Sequence, residues 1–125
     1  MKLQKVCEAK IMMDFQDFLR HQFAYVAIAE FKPGKFAEAK RLYEQAVATY
    51  TTGFKGAYLL QEPGTDKAIA VIFWESREDM DANHSAAYDK IIEKMMPLFA
   101  TKPTIFFPEV VCELQPQDLP HLATV

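Results

Sequence analysis

"FKGAYLLQEPGTDKAIAVIFWE", residues 54–75, decides how the rest of the chain is read. Two runs of strand-forming residues, 54–61 and 67–75, flank Glu62-Pro63-Gly64-Thr65. Pro at the second and Gly at the third position of a four-residue turn is the type II pattern, since Pro presets φ and Gly accepts a positive one. Strand, tight turn, strand is a hairpin. Its second arm is apolar on both alternations. Ala68, Ala70, Ile72 and Trp74 point one way; Ile69, Val71 and Phe73 point the other. Such an arm belongs to a sheet that is covered on both faces.

Outward from the hairpin, "FAYVAIAEF" (23–31) is another strand of the same kind, ended by Lys32-Pro33-Gly34-Lys35. "FAEAKRLYEQAVATY" (36–50) sets Phe36, Ala39, Tyr43, Ala46, Val47 and Tyr50 on one face and most of its charge on the other, which predicts a helix. After the hairpin, Ser76 is an N-cap, and Met80, His84, Ala87, Tyr88, Ile91, Met95 and Leu98 follow at helical spacing until Pro97 ends or kinks the helix. That spacing turns His84 and Tyr88 toward the sheet beside Trp74, and rotates Asn83 by ~100° toward solvent. "TIFFPEVVCEL" (104–114) reads as a fourth strand whose Pro108 demands an edge or a bulge.

The order β-α-β-β-α-β predicts an α+β fold, the ferredoxin-like sandwich, with two helices on one face of a four-stranded sheet. The other sheet face is also apolar, and a second copy of the same sheet is its simplest cover. The expectation is a homodimer packed sheet to sheet. Residues 1–22 form an N-terminal extension with a helical stripe (Leu3, Val6, Cys7, Ile11, Phe15, Phe18, Leu19), 23–114 the domain, and 115–125 an irregular C-terminal arm.

Composition narrows the function. At 125 residues the chain is one domain. The net charge is −3 and basic residues are interleaved with acidic ones, which excludes the concentrated positive face that nucleic acid or an anionic membrane needs. The longest apolar run, 68–74, is too short to span a bilayer. Lys5, Glu8, Lys10 and Asp14 interrupt any signal-peptide core, so a cytoplasmic protein is expected. Cys7 and Cys112, far apart and outside any CxxC, read as two reduced thiols. His21, His84 and His121 are dispersed, so no metal site is expected. No glycine motif for a nucleotide or flavin is present.

The run "GFKGAYLLQEPGTDKAIAVIFWES", followed by Met80 and Ala82-Asn83-His84, resembles the antibiotic-biosynthesis-monooxygenase (ABM) domain of the dimeric α/β-barrel superfamily. The likeness runs from Phe23 to Leu114 and rests on Gly53–Gly56, Trp74 and His84. It implies the same fold, a homodimer, and an oxygenase that uses no cofactor, neither metal nor flavin, on a phenolic or quinol-type aromatic. Where quinol-oxidising members carry a second His this chain has Asp89, and where they carry a Glu it has Ile72. At the positions used for haem breakdown it has Ala27, Asn83 and Glu93, which counts against haem.

The resemblance makes His84 a candidate general base, since imidazole exchanges protons near neutrality. The competing reading is a structural histidine held by a backbone carbonyl or by Tyr88. Trp74 is a candidate for stacking on an aromatic substrate, or else core at the end of its strand. Tyr88 is the favoured hydroxyl because it lies one turn from His84. A non-catalytic dimeric binding or regulatory module is the alternative to the enzyme.

Overall fold

The computed structural model describes residues 22–119. The expected N-terminal helix and the end of the C-terminal arm lie outside the described residues. Strand β1 (Phe23–Glu30) leads into helix α1 (Phe36–Ala48), followed by β2 (Phe54–Gln61) and β3 (Lys67–Trp74). Two helices follow, α2 (Arg77–Ala82) and α3 (Ala86–Met95), and then a short β4 (Thr104–Phe106). The sheet order is β2-β3-β1-β4, with every neighbouring pair antiparallel. This is the ferredoxin-like α+β arrangement: each split βαβ half leaves a gap that a strand of the other half fills.

The hairpin forms as its sequence dictates. Gly64 takes φ +75° and the Thr65 N–H donates to the Glu62 carbonyl at 3.1 Å, closing the turn. β3 then pairs with β1 along its whole length, from Phe23↔Trp74 to Glu30↔Lys67.

Two elements differ from expectation. The second helix is broken at Asn83–Ser85. Each piece has its own serine cap: Ser76 accepts from the Asp79 N–H and Ser85 from the Tyr88 N–H. Helical spacing continues across the break, so the sequence reads as one helix, but a second N-cap serine restarts the chain there. The fourth strand is also much shorter than 104–114. Pro108 has no N–H for a ladder, and beyond Phe106 the chain keeps only single contacts with β1, such as the Ala24 N–H donating to the Pro108 carbonyl. Cys112 is disulfide-bonded, which corrects the expectation of a reduced thiol and removes the cysteine argument for a cytoplasmic setting; the other cysteine, Cys7, lies outside the described residues.

The core sits between the helices and one sheet face in two clusters. One gathers Phe31, Ala39, Leu42, Ala68, Met95 and Leu98 at the start of α1 and the end of α3. The other gathers Ile72, Trp74 and Met80 at the opposite end. On the other sheet face Ile28, Tyr58, Leu60, Ile69 and Phe106 are all exposed.

Candidate functional site

Between the two core clusters lies a cavity of about 140 Å³. Its floor follows from small residues in register. Ala27 faces Ala70 and Ala29 faces Ala68 across β1 and β3, and all four line the cavity. Ala39 and Ala46 of α1 also line it. A methyl group at each of these positions leaves a volume that Leu or Ile would fill. The far wall is Ile92, Met95 and Met96 from the α3 side and Phe99 and Ile105 beyond it.

Among the described residues, Tyr25, Tyr43, Tyr50 and Tyr88 give the cavity its only side-chain hydroxyls, and no charged side chain lines it. Tyr43 donates to the Tyr58 carbonyl at 2.9 Å. The Tyr50 and Tyr88 rings lie 5.7 Å apart, tilted by 35° to one another. Burial raises the pKa of each tyrosine above its ordinary value, to about 12 for Tyr25 and for Tyr43, and mutual repulsion between the phenolates adds to the effect. Tyr50 is raised further, by burial first and then by Tyr88. Tyr88 is raised by burial, partly offset by the neighbouring Tyr50. At neutral pH all four are protonated and act as donors and neutral acceptors, not as bases.

The candidates from sequence are placed as follows. Tyr88 lines the cavity as expected. Trp74 is 2 % exposed and does not line it; the indole lies behind Tyr50, with ring centroids 4.7 Å apart, and also touches Phe54. His84 is corrected more sharply. It lies in the break between α2 and α3 with its side chain 63 % exposed, 3.9 Å from the Asp89 carboxylate, and does not face the sheet. It meets only the edge of the Tyr88 ring, at 5.3 Å. The helix break is the reason: Ser85 restarts the helix, so the rotation counted from Met80 no longer applies.

Asn83 was expected in solvent and is buried. Its Oδ1 accepts from the Thr51 N–H at 2.9 Å and from the Thr51 hydroxyl at 3.3 Å. Its Nδ2 donates to the Thr52 and Asp79 carbonyls at 3.0 and 2.7 Å. These partners fix the orientation of the amide. Asn83 thereby ties the loop after Tyr50 to the end of α2. Gly53 completes the tie: φ is +84°, and an added Cβ would overlap the Asp79 side chain. The sequence signal for this role was the pairing of Asn83 with Ser85, an Asn closing one helix just before a serine opens the next.

Solved structures of other proteins share this fold. An antibiotic biosynthesis monooxygenase by name from Chloroflexus aurantiacus superposes with a TM-score of 0.66 at 17% identity, over 75% of this chain and 97% of that one. A protein of the same name from Caulobacter crescentus gives 0.66 at 16% identity, over 77% and 97%. SnoaB, a cofactor-independent oxygenase from Streptomyces nogalater, gives 0.60 at 17% identity, over 68% and 90%. The chain has the ferredoxin-like fold of these proteins. At these identities the likeness is one of fold. No family model matches the chain, and no curated protein matches it. Among the described residues no helix is long and apolar enough to cross a membrane, and no group of three His, Cys, Asp or Glu could hold a metal.

Proposed function

We propose that the protein is a cofactor-independent monooxygenase that takes a phenol or quinol into the tyrosine-lined cavity and works as a homodimer. The observation that carries this reading is the cavity itself: an apolar chamber lined by four tyrosines, in a fold shared with SnoaB. The substrate enters as a neutral phenol with its oxygen among Tyr25, Tyr50 and Tyr88. As charge develops on that oxygen, the tyrosine O–H groups stabilise it in surroundings that exclude water. The electron-rich ring reduces O₂ directly. A phenol with a free para C–H takes up one O₂; one oxygen atom becomes the new quinone carbonyl and the other leaves as water. The phenolic proton and the para hydrogen both end in the water that is released, and the tyrosine hydroxyls stay neutral donors throughout. Trp74 supports this arrangement from behind by packing on Tyr50.

The homodimer rests on the exposed face of the sheet. Ile28, Tyr58, Leu60, Ile69 and Phe106 form one apolar surface, and a two-fold pairing of identical faces buries it on both copies.

One observation favours the alternative, a non-catalytic binding module: among the described residues no group lining the cavity is a base near neutral pH. Oxygen uptake on a panel of one-ring quinols separates the two readings. The oxygenase reading expects turnover above the uncatalysed rate, about a tenfold or greater loss in Tyr88→Phe, and little change in His84→Ala. Absence of turnover with every quinol that binds rejects catalysis and leaves the binding module.

A further inference from the structure

The cavity has a size, a charge and an arrangement of hydroxyl protons, and together these specify its ligand more narrowly than the fold does. This rests on the reading of the cavity as a ligand site, but not on that site being catalytic.

Size comes first. At about 140 Å³ the cavity is close to the ~150 Å³ of an engineered apolar cavity that takes up benzene. It accommodates one aromatic ring with a small substituent, and three fused rings do not fit unless the alanine floor moves. The floor is two fully paired strands, β1 and β3, with Ala27↔Ala70 inside the ladder and Ala29↔Ala68 one pair from its end, so it is a rigid boundary.

Charge is next. Among the described residues no Lys, Arg, His, Asp or Glu lines the cavity. A carboxylate or an ammonium would enter without a counter-ion and would give up its hydration shell. A neutral molecule does not meet that barrier.

The hydroxyls then set the polar contact. Of four tyrosine protons, that of Tyr43 is held by the Tyr58 carbonyl, which leaves those of Tyr25, Tyr50 and Tyr88 to meet a ligand. More than one donor in an apolar chamber suits the two lone pairs of a single carbonyl oxygen. A phenolic oxygen can also be held there, but it brings a proton of its own that must be accepted in turn.

We propose that the cavity selects a neutral, one-ring aromatic carrying a carbonyl oxygen, which Tyr25, Tyr50 and Tyr88 hold by hydrogen bonds, and that it rejects charged and fused-ring analogues. In an oxygenase this preference makes the site bind its quinone product as well as its phenol substrate, so the product competes for the site.

Binding of unreactive probes to the full chain, followed by calorimetry or ligand-observed NMR, tests this without any turnover. The probes are acetophenone, toluene, benzoate and fluorenone, at neutral pH. Acetophenone is expected to bind about three- to tenfold more tightly than toluene, the gain from one or two neutral hydrogen bonds. Benzoate is expected to bind at least about a hundredfold more weakly than acetophenone, as an unpaired charge requires. Fluorenone is expected not to bind. Tyr25→Phe combined with Tyr88→Phe should remove the preference for acetophenone over toluene while toluene still binds, and that retained binding shows that the variant is folded. The proposal is overturned if none of the probes binds, if benzoate or fluorenone matches acetophenone, or if toluene does. If acetophenone binds as expected and no quinol consumes oxygen, the oxygenase reading fails and this one stands.

Discussion

The two faces of the one sheet follow opposite rules. Toward the helices β1 and β3 present large residues at one end, Tyr25, Ile72 and Trp74, but only alanines from Ala27↔Ala70 to Ala29↔Ala68; away from them the same stretch presents Val26, Ile28, Ile69 and Val71. Along that stretch the small residues are on the face that already has a cover, and the large ones are on the face that has none among the described residues. A sheet that only needed to fold as a monomer would do better with the reverse, since large side chains gain most where they are buried. The difference indicates that the covered face gives up packing to keep a chamber, and that the bare face keeps its apolar area for a second copy.

That contrast can be broken from either side. The largest effect is expected on the bare face. Ile28→Asp together with Ile69→Asp should leave the fold intact and weaken self-association by about a thousandfold or more, because each two-fold interface would carry every new charge twice. Sedimentation velocity reads this directly, and a double variant that still sediments as a dimer removes the sheet-to-sheet assembly.

Next in size is the clip that holds the covered side. Asn83→Ala leaves the Thr51 N–H and the Thr52 and Asp79 carbonyls without their partner, and should cost about 3 kcal/mol of stability in urea unfolding. It should also disturb Tyr50, one residue before the clipped loop, which would show as altered fluorescence of Trp74. A loss below about 0.5 kcal/mol would mean that the loop holds itself.

Ala70→Leu addresses the floor. If the floor is kept small for a ligand, filling it should raise stability or change it by less than about 1 kcal/mol, while probe binding falls tenfold or more. A strongly destabilised variant would instead mean that the chamber is too rigid to accept added side-chain volume.

The smallest effect is alkaline. Tyr25 and Tyr43 keep their protons in the fold up to about pH 12, whereas in the unfolded chain a tyrosine ionises near ~10. Their contribution is fully present below pH ~10 and is lost as pH rises through about 12, because above 10 the unfolded chain releases protons that the fold retains. Stability should therefore fall between these values, and less steeply in Tyr25→Phe. A slope unchanged by that substitution would place the alkaline transition elsewhere.

Particular residues show how far reading the chain could go. Pro63-Gly64 named its turn correctly because the signal is local: two adjacent residues carry the φ values the turn requires. Strand order and the ferredoxin-like topology were legible because hydrophobic period and turn chemistry agree along the chain. Tyr88 was legible as a cavity residue because it lies within an intact helix. His84 was not. Its expected position was counted by rotation from Met80 across a helix that in fact stops at Asn83, and one interrupted turn is enough to move a side chain from the core to solvent. Asn83 was missed for the complementary reason: its four hydrogen-bond contacts go to residues 51, 52 and 79, and most of that partnership is distant in sequence.

By itself the sequence determined the elements, their order, and the presence of two apolar sheet faces, because each follows from periodicity and from local turn and cap chemistry. Only the tertiary structure decided which alternation faces the helices, that its alanines meet in register to leave a chamber, and that Tyr25, Tyr43, Tyr50 and Tyr88, from two helices, one strand and one loop, surround it. Alternation along one strand says that two faces exist, but a cavity is the space left between elements, and it is set by which residues of separate elements come to lie opposite one another.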